Sequence, residues 1–174
     1  RRVHDRPGAG AQPDVLVQQA RRMLRDSRVR RLAIEFGCQW LHLHDFDELN
    51  EKSERHFPDF PALRGPMYEE AIRFFTDFFQ SNLPVPALLD ADHTFVNTAL
   101  AGYYGIPLPD GTPPDAWLRV SGVRTHHRGG LLGFAATLAR QSGASRTSPI
   151  LRGNWISEVL LGERLPRPPK DVPR

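Results

Sequence analysis

Cysteine is almost absent from this 174-residue chain, Cys38 being the only one. A lone cysteine excludes an internal disulfide, and with it every CxxC metal or CxxCH haem-attachment motif within the sequence. Cys38 falls in an apolar helical pattern, where a free thiol is expected to be buried and inert. Lysine is nearly as scarce. Of 23 basic residues only Lys52 and Lys170 are lysines, a bias expected of GC-rich coding rather than of recognition. No apolar run approaches the roughly 18–20 residues that cross a bilayer, so no membrane span is expected. HExxH and GxSxG are missing, and Gly105, Gly129 and Gly130 form no phosphate loop, which leaves zinc-protease, serine-hydrolase and P-loop chemistry without support.

The remaining composition suits a globular protein: 40% hydrophobic and 25% charged residues. Sixteen prolines and fourteen glycines gather at the two ends and between Leu83 and Pro114, marking loops rather than a low-complexity tract. The first residue is Arg1 and the last stretch is LPRPPKDVPR, so the chain reads as a piece of a longer protein. The lack of a signal segment then says nothing about location. The net charge of +3 is unevenly spread. Residues 1–40 carry nine arginines against four acids, residues 41–80 nine acids against four bases, and residues 121–174 nine bases against three acids. Such alternation fits self-complementary packing or an anionic partner.

Periodicity predicts a mainly α fold, a multi-helix bundle of about six helices with at most a short β element. Leu16, Ala20, Met23 and Leu24 mark a short first helix after Pro13 and Asp14. Val29, Leu32, Ala33, Phe36, Trp40 and Leu41 form the apolar stripe of the second. An acidic loop spans residues 44–61. A third helix runs from Ala62 to about Gln80 with Met67, Ala71, Phe74, Phe75, Phe78 and Phe79 on its buried face. Asn97 caps a short helix that Gly105 ends. Trp117–Val123 alternates as a short strand, and further helices cover about Gly130–Gln141 and Pro149–Leu161. The expected organisation is a first helical unit at 1–107, a connecting loop at 108–127 and a second unit at 128–174 with a proline-rich tail, packed as one globular body.

The densest signal is Arg146–Gly162, RTSPILRGNWISEVLLG. Ser148 suits a helix cap, Pro149 the first helical position and Gly162 the left-handed stop. The helix start, flanked by Arg146 and Arg152 and by the hydroxyls of Thr147 and Ser148, is a candidate anion cradle. The commoner role of such a serine is capping alone. Two acidic groups are candidates for acid–base work on a glycoside: Asp90 with Asp92, and Asp45 with Asp47. Residues of this kind more often close turns. His42, His44, His56, His93, His126 and His127 show no metal-ligand spacing, and no metal site is predicted. The arginine stripe Arg21, Arg25 and Arg28 lacks the exposed aromatics that nucleic-acid binding wants, so no nucleic-acid partner is expected.

Three stretches together resemble a known family. These are RRMLRDSRVRRLAIEFGCQWLHL (Arg21–Leu43), LLDADHTFVNTALAGYYGIP (Leu88–Pro107) and RGGLLGFAATLARQSGASRTSPILRGNWISEVLLG (Arg128–Gly162). They are similar to the tandem domains of unknown function in planctomycete and verrucomicrobial cytochrome-c-like proteins. His93 stands where that pattern usually has tyrosine, and residues 108–127 follow it loosely. The resemblance implies a large periplasmic or otherwise exported multi-domain protein that often carries c-type haem outside this region. Its partners would be neighbouring haem or carbohydrate-binding domains of the same chain, or an anionic polysaccharide. No catalytic residue is carried over by the resemblance, and no cofactor is expected within this segment. The leading functional expectation is an accessory or scaffold helical module. The alternatives are a polysaccharide-active enzyme domain and an anion-binding module at the Ser148 helix start.

Overall fold

A computed structural model of the chain describes residues 13–166. The lead-in expected at residues 1–12 and the proline tail from residue 167 onward lie outside the described residues. Eight α-helices and one two-stranded sheet make up the described part, a mainly α fold with a short β element, as the periodicity predicts. The helices are α1 (Pro13–Leu24), α2 (Val29–Leu32), α3 (Phe60–Ser81), α4 (Ala87–Asp90), α5 (Thr98–Tyr104), α6 (Gly130–Gly133), α7 (Ala135–Arg140) and α8 (Pro149–Trp155). The strands are β1 (His93–Val96) and β2 (Leu118–Ser121).

The core is built around α3, the longest helix, which packs against α2, α5, α7 and β1. Phe74 and Phe75 are almost wholly buried, and Phe134 meets Phe74 edge-on with ring centroids 5.0 Å apart. Burying each such ring is worth about 1.5–3 kcal/mol. One hydrophobic cluster runs from Ala33 to Trp155. β1 and β2 pair antiparallel in the register His93 to Ser121 through Val96 to Leu118. β1 falls in a stretch expected to be loop. β1 takes its backbone partners from β2, across a connection that no local signal in His93–Val96 announces.

The second helix departs from its predicted stripe. After Leu32 the backbone widens into a π-helical turn, Ala33–Cys38. The extra residue per turn rotates the following side chains. Gly37 and Cys38 therefore face inward and Phe36 is 55% exposed. Gly37 explains the geometry, since a Cβ there would lie 2.6 Å from the Phe75 ring. Only a bare Cα lets the two helices meet so closely. Cys38 is fully buried, and burial pushes its thiol up to about 12, so it is inert at neutral pH.

A second π-helical turn, Ile156–Leu160, extends α8. Here two tryptophans cross-connect distant parts of the chain. Trp155 Nε1 donates to Leu41 O at 3.3 Å, and Trp40 Nε1 donates to Val159 O at 3.2 Å.

Glycines at two positions permit a close approach. Gly129 and Gly130 have φ of +115° and +59°, and a Cβ on them would strike the carbonyl oxygens of Ala91 and Leu89 respectively. The Arg-Gly-Gly-Leu-Leu run is thereby the contact of α6 with α4. The predicted helix over 130–141 is broken at Phe134, whose extended backbone (φ −64°, ψ 130°) separates α6 from α7 and carries its ring into the core.

Candidate functional site

A cavity of about 330 Å³ opens between α3, α7 and the Ser142–Thr147 turn. Its floor is apolar: Phe60, Leu63 and Met67 from α3, and Ala135, Leu138 and Ala139 from α7. Its polar lining holds three cations, Lys52, Arg128 and Arg152, with His56 and Thr147, against one carboxylate, Asp59. An apolar bed with a few convergent polar groups is the usual form of a ligand pocket.

Each cation is held in place. Lys52 Nζ donates to Ser142 O at 2.7 Å, and burial lowers its pKa. Arg128 Nη1 donates to Gly133 O at 3.1 Å, and its guanidinium lies 4.1 Å from the Tyr104 ring centroid. Arg152 Nη2 donates to Ser142 Oγ at 3.3 Å and reaches Leu138 O at 3.5 Å. Its Nε is buried with no hydrogen-bond partner among the described residues.

Behind the cavity wall lies a buried carboxyl group. Glu70 is 1% exposed and accepts from Thr94 Oγ1 and from Tyr104 Oη, both at 2.5 Å. Tyr104 Oη in turn accepts from Ala135 N at 3.1 Å. Burial pushes the Glu70 carboxyl up to about 7, against the opposing effects of the two hydroxyls and the nearby Arg128 charge. Burial also raises Tyr104 well above the ordinary tyrosine range. Sequence periodicity passes over Glu70, yet a signal is present. It sits three residues after Met67 and four before Phe74, so a charged residue occupies the apolar stripe of α3.

A second polar cluster surrounds β1. His93 Nε2 lies 3.2 Å from Asp77 Oδ2, and the imidazole stacks on Phe74 at 5.4 Å. Burial and the Arg119 charge lower the His93 pKa despite Asp77, so the ring is largely neutral at pH 7. Two turns earlier on α3, Arg30 of α2 grips Glu69 through two bonds of 2.9 and 2.6 Å.

The four residues of the predicted anion cradle separate into two roles. Thr147 and Arg152 line the cavity, whereas Arg146 is exposed and Ser148 spends its hydroxyl on Leu151 N at 3.3 Å. Of the four acidic candidates, Asp92 is the one whose carboxylate holds backbone among the described residues. Asp92 Oδ1 accepts from Arg124 N at 2.9 Å, and the Asp90 carbonyl accepts from the Arg124 guanidinium. Asp45 sits in the left-handed region (φ 55°) ahead of the 3₁₀ turn Phe46–Glu48, which contains Asp47. Among the described residues no group of three or more His, Cys, Asp or Glu is placed to hold a metal ion. No helix among them is long and apolar enough to cross a membrane. Lys52, Arg128 and Glu70 are the site residues that sequence reasoning misses: Lys52 and Glu70 take their partners from far along the chain, and Arg128 meets Tyr104 only in the folded state.

Residues 7–106 match the model of PSD4, a protein of unknown function (DUF1592). Residues 128–174 match that of PSCyt3, also a protein of unknown function (DUF1588). Neither a curated protein nor a solved structure matches the chain. Two regions of unknown function in tandem agree with the arrangement read from the three motifs. Because the first match covers more than half of its length, the chain belongs to the PSD4 family of proteins of unknown function (DUF1592).

Proposed function

We propose that this chain is an accessory helical module of an exported, cytochrome-c-like multi-domain protein, and that it holds a neighbouring domain of the same protein in position. The observation that supports this reading is the state of α1. Leu16, Val17, Ala20, Met23 and Leu24 fall on one side of that helix and Arg21 and Arg22 on the other. Yet no α1 side chain is buried by the described residues, and Leu16 and Met23 are 57% and 62% exposed. An amphipathic helix keeps its apolar stripe for something to cover it. A neighbouring haem-bearing or carbohydrate-binding domain of the same protein is the occupant that the family resemblance supplies.

The test compares amide hydrogen exchange in this chain with that in the full-length gene product. Exchange in α1 slowed by an order of magnitude or more in the longer protein is the expected result. Identical exchange in both would overturn the scaffold reading. The haem part is read separately, as a Soret band that survives acidic organic extraction of the full-length protein. Its absence removes the cytochrome context.

A further inference from the structure

We propose that the cavity between α3, α7 and the Ser142–Thr147 turn is a binding site for a small organic carboxylate with an aromatic or branched aliphatic body. The proposal stands apart from the scaffold reading and rests on different residues.

Size comes first. At about 330 Å³ the cavity lies near the lower end of the roughly 300–1,000 Å³ that small-molecule pockets span. It has room for a compact ligand and little more. The floor then dictates most of that ligand. Phe60, Leu63, Met67 and Leu138 offer no hydrogen bonds, so the ligand must bring apolar surface of its own.

The head group follows from the charges. Lys52, Arg128 and Arg152 are among the lining residues, with Asp59 the one carboxylate to offset them. Bonds within the protein fix these cations without using all their donors. The Lys52 ammonium carries three N–H groups, and its contacts are Ser142 O and Gly143 O. Arg152 binds through Nη2 and leaves Nε buried without a partner among the described residues. The planar guanidinium fork fits the two oxygens of a carboxylate. Because Arg128 is pinned by Gly133 O and the Tyr104 ring, little side-chain freedom remains to be lost on binding. Inorganic anions satisfy the cations but leave the apolar floor bare, and neutral apolar molecules do the reverse. A carboxylate on an apolar body satisfies both.

Ligand-detected NMR and calorimetry test this with benzoate, 3-phenylpropionate and 4-methylpentanoate. The controls are 3-phenylpropanamide and inorganic sulfate. At least one of the three acids is expected to bind at millimolar concentration or below. The amide is expected to bind about tenfold or more weakly than 3-phenylpropionate, and sulfate not to displace a bound acid. Arg152→Gln should weaken acid binding by about tenfold or more. Since Arg152 also holds the Ser142 turn, Ala139→Trp serves as a second variant that fills the cavity and leaves every cation in place. It should abolish binding with the thermal transition retained. Failure of all three acids to bind, equal binding of acid and amide, displacement by sulfate, or acid binding unchanged in both variants would each overturn the proposal.

Discussion

The Tyr104 hydroxyl donates to the Glu70 carboxylate at 2.5 Å, and both residues are buried, Glu70 to 1% exposure and Tyr104 to 7%. Because burial carries the Glu70 pKa from 4.5 to about 7, folding favours the protonated acid. The associated stability is complete below about pH 4.5 and is lost as the pH rises through about 7, by about 3 kcal/mol. Glu70→Gln imitates the protonated form. Thermal melts between pH 5 and pH 8 should show this contribution falling in the parent and absent in the variant. Equal slopes in the two proteins would place Glu70 in contact with water.

His93 pulls the other way. Its pKa is lowered in the folded chain, so its contribution is complete above about 6.5 and is lost as the pH falls through the folded-state value. His93→Tyr, which installs the residue common in the resembling pattern, should remove this acid-side loss. The same series of melts reads it, as a midpoint of the variant relative to the parent that rises while the pH falls from 7 to 5.

Trp155 is 5% exposed, and its indole N–H is bonded to Leu41 O. Trp155→Ala should cost about 3–5 kcal/mol, measured by urea unfolding followed through the remaining tryptophans. An unchanged midpoint would mean that the side chain anchors something outside this fold.

Gly130→Ala forces a Cβ onto the Leu89 carbonyl at a backbone angle that L-residues avoid. Strain at such a position costs about 1–3 kcal/mol before the collision is counted. A soluble variant with a clearly lowered melting midpoint, or no soluble protein at all, is expected. Gly153→Ala, a helical glycine with open space around it, is the matched control and should be neutral or mildly stabilising.

Ser148→Ala removes the acceptor of Leu151 N and should cost about 0.5–2 kcal/mol. Calorimetry of the variant gives the number. A loss larger than that would point to a further role for the hydroxyl.

Local signals made part of this fold legible in advance. The apolar stripe with its four phenylalanines predicts a helix over 62–80, and α3 spans Phe60–Ser81. Asn97 accepts from Leu100 N, and Gly105 takes the left-handed angle, as capping chemistry requires. Trp117–Val123 contains β2. What escaped depends on distant partners. β1 needs β2, and the break at Phe134 needs the core slot its ring fills. The turn of Phe36 outward needs Gly37 to meet Phe75. The same holds for the site. Arg152 and Thr147 could be read from a motif, but Lys52 joins them only because the segment before α3 folds back onto the Ser142 turn. Glu70 shows its meaning only once Thr94 and Tyr104 close around it.

The paired tryptophans have a consequence for inheritance. Trp40 belongs to one matched region and Trp155 to the other, and each indole N–H takes its acceptor from the opposite region. A recombination that parts residues 7–106 from 128–174 strands both donors at once and opens a shared core on each side. The two regions are therefore expected to pass through gene rearrangement as a pair, with change in one answered by change in the other.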